Sequence, residues 1–187
     1  DVHARDSSSS DDVISEGEEE KEEPSPPLQE LFLSHCTSLV ELPNSMSTLT
    51  SLMKLDVRAC IHLVHLPSAI AWLPKLACLI TAGCSALTAL PDELGTTSTL
   101  EDLDTSDCPR LCALPAQLGS CTSMREVIVA GCTSLRTMPD LSGLASSLQL
   151  LDLRKCNLLL PTPGWVDNLQ HDPVGKFCKV LLPADRK

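Results

Sequence analysis

Six cysteines lie at one fixed interval in this chain, and their thiols are the side chains with the widest possible chemistry. They are 24 residues apart and will be called the cysteine series: Cys36, Cys60, Cys84, Cys108, Cys132 and Cys156. Regularly spaced thiols can form disulfides, bind a metal ion, act as nucleophiles or occupy a structural position. The spacing and the direction of the side chains decide between these roles.

Neither disulfides nor a zinc site fits the cysteine series. Equivalent thiols in stacked segments have Cα atoms about 5 Å apart, but they point in parallel and their Cβ atoms do not converge as a disulfide requires. Zinc needs four ligands around one point, commonly from closely spaced pairs. The close pairs of the sequence are Cys108 with Cys112 and His62 with His65. We therefore predict free thiols and no metal site.

The residues also give no catalytic arrangement and no cofactor motif. His35 precedes Cys36, but neighbours on a strand point to opposite faces, so this pair does not form a nucleophile and its base. The sequence has no GxxxxGK[ST] loop and no GxGxxG turn. We predict a protein that is not an enzyme and has no cofactor. A cysteine hydrolase using Cys36 and His35 is the weakest alternative, and full activity after Cys36→Ala would remove it.

The cysteine series belongs to a longer repeated pattern, LxxLxLxxCxxLxxLPxxIxxLxx. The six copies begin at Leu28, Leu52, Leu76, Leu100, Met124 and Leu148. A fixed period of this length is typical of stacked-repeat proteins. The LxL pair has the two-residue period of a strand, and the proline in the second half keeps that segment out of the sheet. The pattern predicts an α/β solenoid with parallel strands on the concave face and short helical or irregular turns on the convex face.

Composition divides the chain into three parts. Residues 1–27 hold ten acids against two bases, and we predict a disordered acidic tail there. Residues 28–171 carry the repeats, about six in number, and residues 172–187 are expected to form a degenerate repeat or a C-terminal cap. Trp165, Val166, Leu169 and Phe177 are expected to cover the end of the core. Nothing that resembles a cap precedes Leu28, so we expect an open sheet edge there.

The repeat pattern also predicts a structural role for the cysteine series. Each cysteine is the ninth residue of its repeat, where the chain turns from strand to loop and a small, weakly hydrogen-bonding group can face the backbone. We expect the six to form a structural turn ladder. Four cysteines lie outside the series, and Cys78 is the one expected to be most exposed.

Apolar and acidic residues alternate at the central open position of the strands. This central column consists of Phe32, Asp56, Ile80, Asp104, Ile128 and Asp152. Apolar groups exposed beside charges often mark a contact surface, although the alternation is also explained by duplication of a pair of repeats without any ligand. The predicted partner-binding residues on the concave face are Phe32, Asp56, Arg58, Ile80, Asp102, Asp104, Asp107, Ile128, Asp152 and Arg154.

Charge and hydropathy limit the classes of partner. The net charge is −11, whereas binding to nucleic acid needs clustered lysine and arginine. No apolar run approaches the roughly 20 residues that span a bilayer. We therefore predict a protein partner, with no nucleic acid and no membrane, and a location in the cytoplasm or the nucleus.

The segments at 58–67 (RACIHLVHLP) and 130–139 (AGCTSLRTMP) resemble the leucine-rich repeats of plant disease-resistance receptors. The resemblance covers residues 28 to about 170. It implies a non-catalytic repeat region that senses pathogen proteins or restrains a nucleotide-binding switch domain. The central column favours the hypothesis that the concave face binds a partner with a basic segment. The resemblance implies a second hypothesis, in which the repeats pack against the nucleotide-binding domain of their own parent protein. A free-standing scaffold or adaptor in signalling is the alternative.

Overall fold

A computed structural model of the chain describes residues 27–159, 161–170 and 178–183, and these form a stack of seven parallel strands in one sheet. The strands follow chain order without a crossover. They are β1 Glu30–Phe32, β2 Lys54–Asp56, β3 Cys78–Ile80, β4 Asp102–Asp104, β5 Glu126–Ile128, β6 Leu150–Asp152 and β7 Lys179–Leu181. The predicted acidic tail lies outside the described residues, apart from Pro27.

Each strand has three residues, and its central residue points toward the core. Leu55, Leu79 and Leu103 have at most 1% of their surface exposed, and the residues on either side of Leu79 and Leu103 are half-buried. From β1 to β6, each strand pairs with the residues one 24-residue period later, as in Leu31 with Leu55. The predicted leucine-rich-repeat solenoid with parallel strands is confirmed.

Short 3₁₀ helices lie in the second half of the repeats. They are Asn44–Thr48, Ser68–Trp72, Asp92–Thr96, Leu118–Ser120, Ser142–Leu144 and Asn157–Leu159. The first three begin directly after Pro43, Pro67 and Pro91, whose missing N–H cannot join a sheet. Each helix sends one or two side chains into the core, as Ile70 and Leu94 do.

Glycines at the same position in three successive helices let the turns approach each other closely. Gly95, Gly119 and Gly143 are 24 residues apart. A Cβ added at Gly95 would lie 2.9 Å from the carbonyl carbon of Gln117, and one at Gly143 would lie 2.9 Å from the oxygen of Gly119. Both distances are too short for a real side chain. These glycines therefore permit a backbone-to-backbone contact that the sequence pattern had not indicated.

The C-terminal part continues the sheet after a longer connection. Helix α1, Trp165–Gln170, packs its buried Val166 and Leu169 against the core, and Trp165 is partly buried there. Phe177 lies outside the described residues. Strand β7 then pairs in parallel with β6, with Val180 beside Leu151. Within the described residues, no helix is long and apolar enough to span a membrane.

Two threonines replace inward aliphatic residues and are nevertheless fully buried. Thr81 and Thr105 each have no exposed surface. Each hydroxyl lies 3.4 Å from a main-chain oxygen of the following repeat, Asp104 O and Ile128 O respectively. The buried polar groups therefore have acceptors, which lowers the cost of placing them in an apolar core.

Candidate functional site

The open face of the sheet carries the central column in the order that the sequence predicts. Strand pairing places Phe32 beside Asp56, Asp56 beside Ile80 and Ile80 beside Asp104. Phe32 is 55% exposed, and Ile80 and Ile128 are half-buried. The Lys54 ammonium lies 5.4 Å from the centre of the Phe32 ring, within cation–π distance.

The aspartates of the second and sixth repeats are paired with arginines two residues later. Asp56 and Asp152 are each only 3% exposed. The Nη2 atom of Arg58 lies 2.7 Å from Asp56 Oδ2, and that of Arg154 lies 2.6 Å from Asp152 Oδ2. Each carboxylate also accepts the backbone N–H of its arginine. These two acids are neutralised within the chain, and they present an arginine to solvent.

The pKa of Asp56 reflects this environment. Burial alone raises the pKa, but the hydrogen bonds and the positive charge of Arg58 outweigh it, so the pKa lies below the usual value of an aspartate. The carboxylate therefore stays charged in the folded protein.

The aspartate of the fourth repeat has no such arginine. Ser106 occupies the position of Arg58 and Arg154, and its backbone N–H donates to Asp104 Oδ1 at 2.9 Å. At the first position of the strands, two residues before the central column, Asp102 of β4 pairs in register with Glu126 of β5. Burial, followed by the charge of Glu101, raises the pKa of Asp102. Four acidic residues of this region will be called the acidic centre: Asp102, Asp104, Asp107 and Glu126. Within the described part of the chain, no basic side chain lies within 4 Å of their carboxylates.

The acidic centre borders two shallow hollows that share Ile128. One, of about 170 Å³, is lined by Cys78, Ile80, Asp102, Leu103, Asp104, Glu126 and Ile128. The other, of about 300 Å³, is lined by Ser106, Asp107, Ile128, Ala130, Gly131, Asp152, Arg154 and Lys155. Apolar, acidic and basic groups thus meet over β3 to β6.

A larger hollow of about 560 Å³ lies outside the central column, beside the segments that directly precede β4, β5 and β6. It is lined by Glu101, Thr122, Ser123, Arg125, Ser146, Ser147, Leu148 and Gln149. Its only charged residues, Arg125 and Glu101, form an ion pair at 3.2 Å. Because its lining residues are mostly polar and its charges are mutually satisfied, we place the candidate site on the sheet and not here.

The residue before each cysteine of the series has a left-handed backbone. Gly83 and Gly131 have φ of 73° and 80°, whereas Asp107 adopts φ of 51° with a side chain. A Cβ on Gly131 would collide with the Asp107 carboxylate. The absence of a side chain at Gly131 therefore makes room for the carboxylate of Asp107.

Five members of the cysteine series hydrogen-bond to the backbone of the preceding repeat. Each Sγ lies 3.0–3.2 Å from a carbonyl oxygen 27 residues earlier, as Cys84 does with Val57. Burial is the main cause that raises the pKa of Cys84 and Cys132 to about 11 and of Cys108 and Cys156 to about 12. These thiols stay protonated and can donate.

Three of the remaining thiols lie in more exposed environments than these five. Cys36 belongs to the series but is exposed. Outside the series Cys112 is exposed and Cys78 is only half-buried, so the prediction that Cys78 is the most exposed of these is wrong. Cys112 lies four residues after Cys108, and its backbone N–H donates to the carbonyl oxygen of Thr88 in the preceding repeat. Among the described residues, no group of three or more potential ligands is placed to hold a metal ion.

The structure brings the ten predicted binding residues to one side of the sheet, but they do not act alike. Asp56 and Asp152 form ion pairs with their arginines. The carboxylates of Asp102, Asp104 and Asp107 have no such arginine. Glu126 and Lys54 belong to the same face but were left out of the predicted set. The register of the strands was the signal that could have included them, because both stand one residue before the inward position.

The fold is similar to that of a solved leucine-rich repeat domain from the type III effector XopL. The TM-score is 0.61 at 24% sequence identity, and the match covers 84% of this chain and 69% of that one. No family model matches the chain, and no curated protein matches it. This likeness shows the fold: the chain is a leucine-rich-repeat solenoid.

Proposed function

We propose that this protein is a non-catalytic recognition module that binds an extended, basic segment of a partner protein on its concave face. The observation that carries the proposal is the acidic centre, which lies beside Ile80 and Ile128 without a basic partner of its own. Asp102 and Glu126 stand side by side on neighbouring strands, so an incoming lysine or arginine can meet more than one carboxylate there and gains more than at an isolated acid.

Basic groups flank the acidic centre along the stack. Lys54 and Arg58 lie two repeats before β4, and Arg154 and Lys155 lie two repeats after it. Strands are about 4.8 Å apart, so each flank is roughly 10 Å from the centre. The face therefore favours a partner with basic and apolar residues in its middle and acidic residues at its ends, and complementary potentials of this kind give specificity.

Binding of a peptide tests the site. The probe is a fluorescent peptide of alternating leucine and arginine, compared with one of alternating leucine and glutamate. We expect the arginine peptide to bind and its affinity to fall with added salt. Ile80→Lys with Ile128→Lys should abolish this binding without changing the thermal unfolding temperature.

Ile61→Lys provides a control, because Ile61 is an isoleucine at the surface, 41% accessible, but lies outside the strands. Like each of the two changes at Ile80 and Ile128, it adds one positive charge, and it should leave binding nearly unchanged. Equal binding of both peptides, or unchanged binding by the Ile80 and Ile128 variant, would contradict the proposed site.

We further propose that the module is the ligand-sensing or autoregulatory repeat region of a plant disease-resistance protein located in the cytoplasm or the nucleus. The segments at 58–67 and 130–139 and the 24-residue period support this role. A free-standing scaffold or adaptor remains the alternative. Co-expression with the nucleotide-binding domain of such a receptor separates them, since an autoregulatory region should capture that domain without a pathogen factor. A fluorescent fusion tests the location.

A further inference from the structure

The first strand leaves one edge of the sheet open among the described residues, and the layer beneath it is incompletely covered. Leu31 and Leu33 are partly buried, whereas their equivalents Leu55 and Val57 in the second repeat have no exposed surface. Phe32 is 55% exposed on the open face of the same strand. The last strand, β7, is the other end of the sheet, and Val180 and Leu182 are likewise only partly buried.

We infer that these two ends bind each other between copies of the chain, so that β7 of one copy pairs in parallel with β1 of the next. Continuing the register of the sheet places Lys179 beside Glu30, Val180 beside Leu31 and Leu181 beside Phe32. The contact therefore joins a base with an acid and apolar side chains with apolar side chains. Within β1 and β2, Glu30 already pairs in register with Lys54, so it would lie between two lysines.

The backbone groups at the two ends are also complementary. Between β1 and β2, the N–H groups of Met53 and Lys54 donate to Gln29 O, and Leu33 N–H donates to Asp56 O. By the same register, Gln29 and Glu30 N–H of one copy reach Cys178 O of another. Leu182 N–H of that copy reaches Phe32 O in return. Unpaired groups on an edge strand are the usual template for adding a strand.

The exposed thiol of Cys36 fits the same register. Cys60 donates to Leu33 O, the residue that directly follows β1. The equivalent residue after β7 is Leu182, so Cys36 of one copy would donate to Leu182 O of the other. Cys36 would then gain the kind of contact that five members of the series have within the chain. Because the two surfaces differ, this head-to-tail contact gives open chains and not closed dimers.

Sedimentation velocity of the full chain over a range of concentrations tests the inference. We expect species that grow with concentration. Glu30→Pro should return the protein to a monomer, because it removes an N–H that faces outward from the edge. Circular dichroism checks that this variant remains folded. A monomer at every concentration for the unmodified chain, or association that Glu30→Pro leaves unchanged, would overturn the inference.

A charge exchange provides a second, independent test. Glu30→Lys and Lys179→Glu should each weaken association, by roughly threefold or more, because each places like charges together. A mixture of the two variants should recover it, because each end then meets an opposite charge. No recovery in the mixture would contradict the proposed register.

Thiol labelling localises the contact. Alkylation of Cys36 should slow as the concentration rises, whereas that of the exposed Cys112 should not. If the alkylation rate of Cys36 did not fall with concentration, or fell only as much as that of Cys112, burial of Cys36 in the contact would be contradicted. The Ile80→Lys and Ile128→Lys variant should associate normally, so failure of this inference and failure of the proposed function can be told apart.

Discussion

The second and fourth repeats place an aspartate at the same register position, but the two carboxylates have different surroundings. Asp56 is 3% exposed and is held by Arg58, whereas Asp104 is half-buried and bonds to the backbone N–H of Ser106. The difference arises from one residue two positions later. It shows that an acidic column in the sequence can contain both internal ion pairs and carboxylates that are available to a partner.

The largest expected effect is on stability and comes from removing the arginine of a paired repeat. Arg58→Ala leaves the buried carboxylate of Asp56 without its partner. Breaking a fully buried pair costs about 3–5 kcal/mol, but solvent screens this one because the Arg58 side chain is 47% exposed, so we expect a loss of about 2 kcal/mol. Urea unfolding measures it. Ser106→Ala is the matched control and should stay within about 0.5 kcal/mol of the unmodified protein; an equal loss in both variants would contradict the comparison.

The next effect is on binding and comes from giving the fourth repeat its own arginine. Ser106→Arg should neutralise Asp104 as Arg58 neutralises Asp56, and it should weaken binding of the arginine–leucine peptide about tenfold, or about 1.4 kcal/mol. Fluorescence anisotropy measures the affinity. Ser34→Arg is the control, because Ser34 has the same register position beside Phe32, where there is no carboxylate to neutralise. If Ser34→Arg weakened binding equally, added charge alone would explain the result.

The smallest effects are pH-dependent and have opposite signs at two aspartates. Because the folded-state pKa of Asp56 is lowered, its charge stabilises the fold above the ordinary pKa of about 3.9, and this contribution is lost as the pH falls through the lower folded value. Asp56→Asn should therefore lower stability at pH 7 and converge with the unmodified protein in acid.

The pKa of Asp102 is raised, so its charge opposes folding at pH 7. Asp102→Asn should increase stability there, by less than about 1 kcal/mol, and the gain should disappear below about pH 3.9. Thermal unfolding from pH 3 to pH 7 measures both variants. A common sign at pH 7 would contradict the assigned environments.

Much of the fold followed from the repeat pattern. The LxL pairs gave the inward residues of the first six strands, and the prolines marked where the first three 3₁₀ helices begin. Strand β7 lies in the segment expected to form a degenerate repeat or a cap, and it was not named as a strand because it does not continue the 24-residue period. The glycine positions at 95, 119 and 143 were also missed, since a glycine in a turn has many explanations until the neighbouring backbone is known.

The candidate site was less predictable than the fold. Register placed the ten predicted binding residues on one face, but it treated Asp56, Asp104 and Asp152 as equivalent. The DxR spacing of Asp56 with Arg58 was readable, yet two residues two apart on a regular strand would lie side by side without a defined contact. Only the turn after the strand, where each carboxylate accepts the N–H of the second following residue, brings the arginine onto it.

By itself, the sequence determined the period, the strand direction and the inward face, because a 24-residue repeat leaves one way to bury the same leucines in every layer. The cysteine series acted as a marker of that period. The tertiary structure decided which polar groups are satisfied inside the stack and which are open. That depends on distances between repeats: a thiol reaches a carbonyl 27 residues earlier, and an acid is paired or free according to the group that lies within about 3 Å of it.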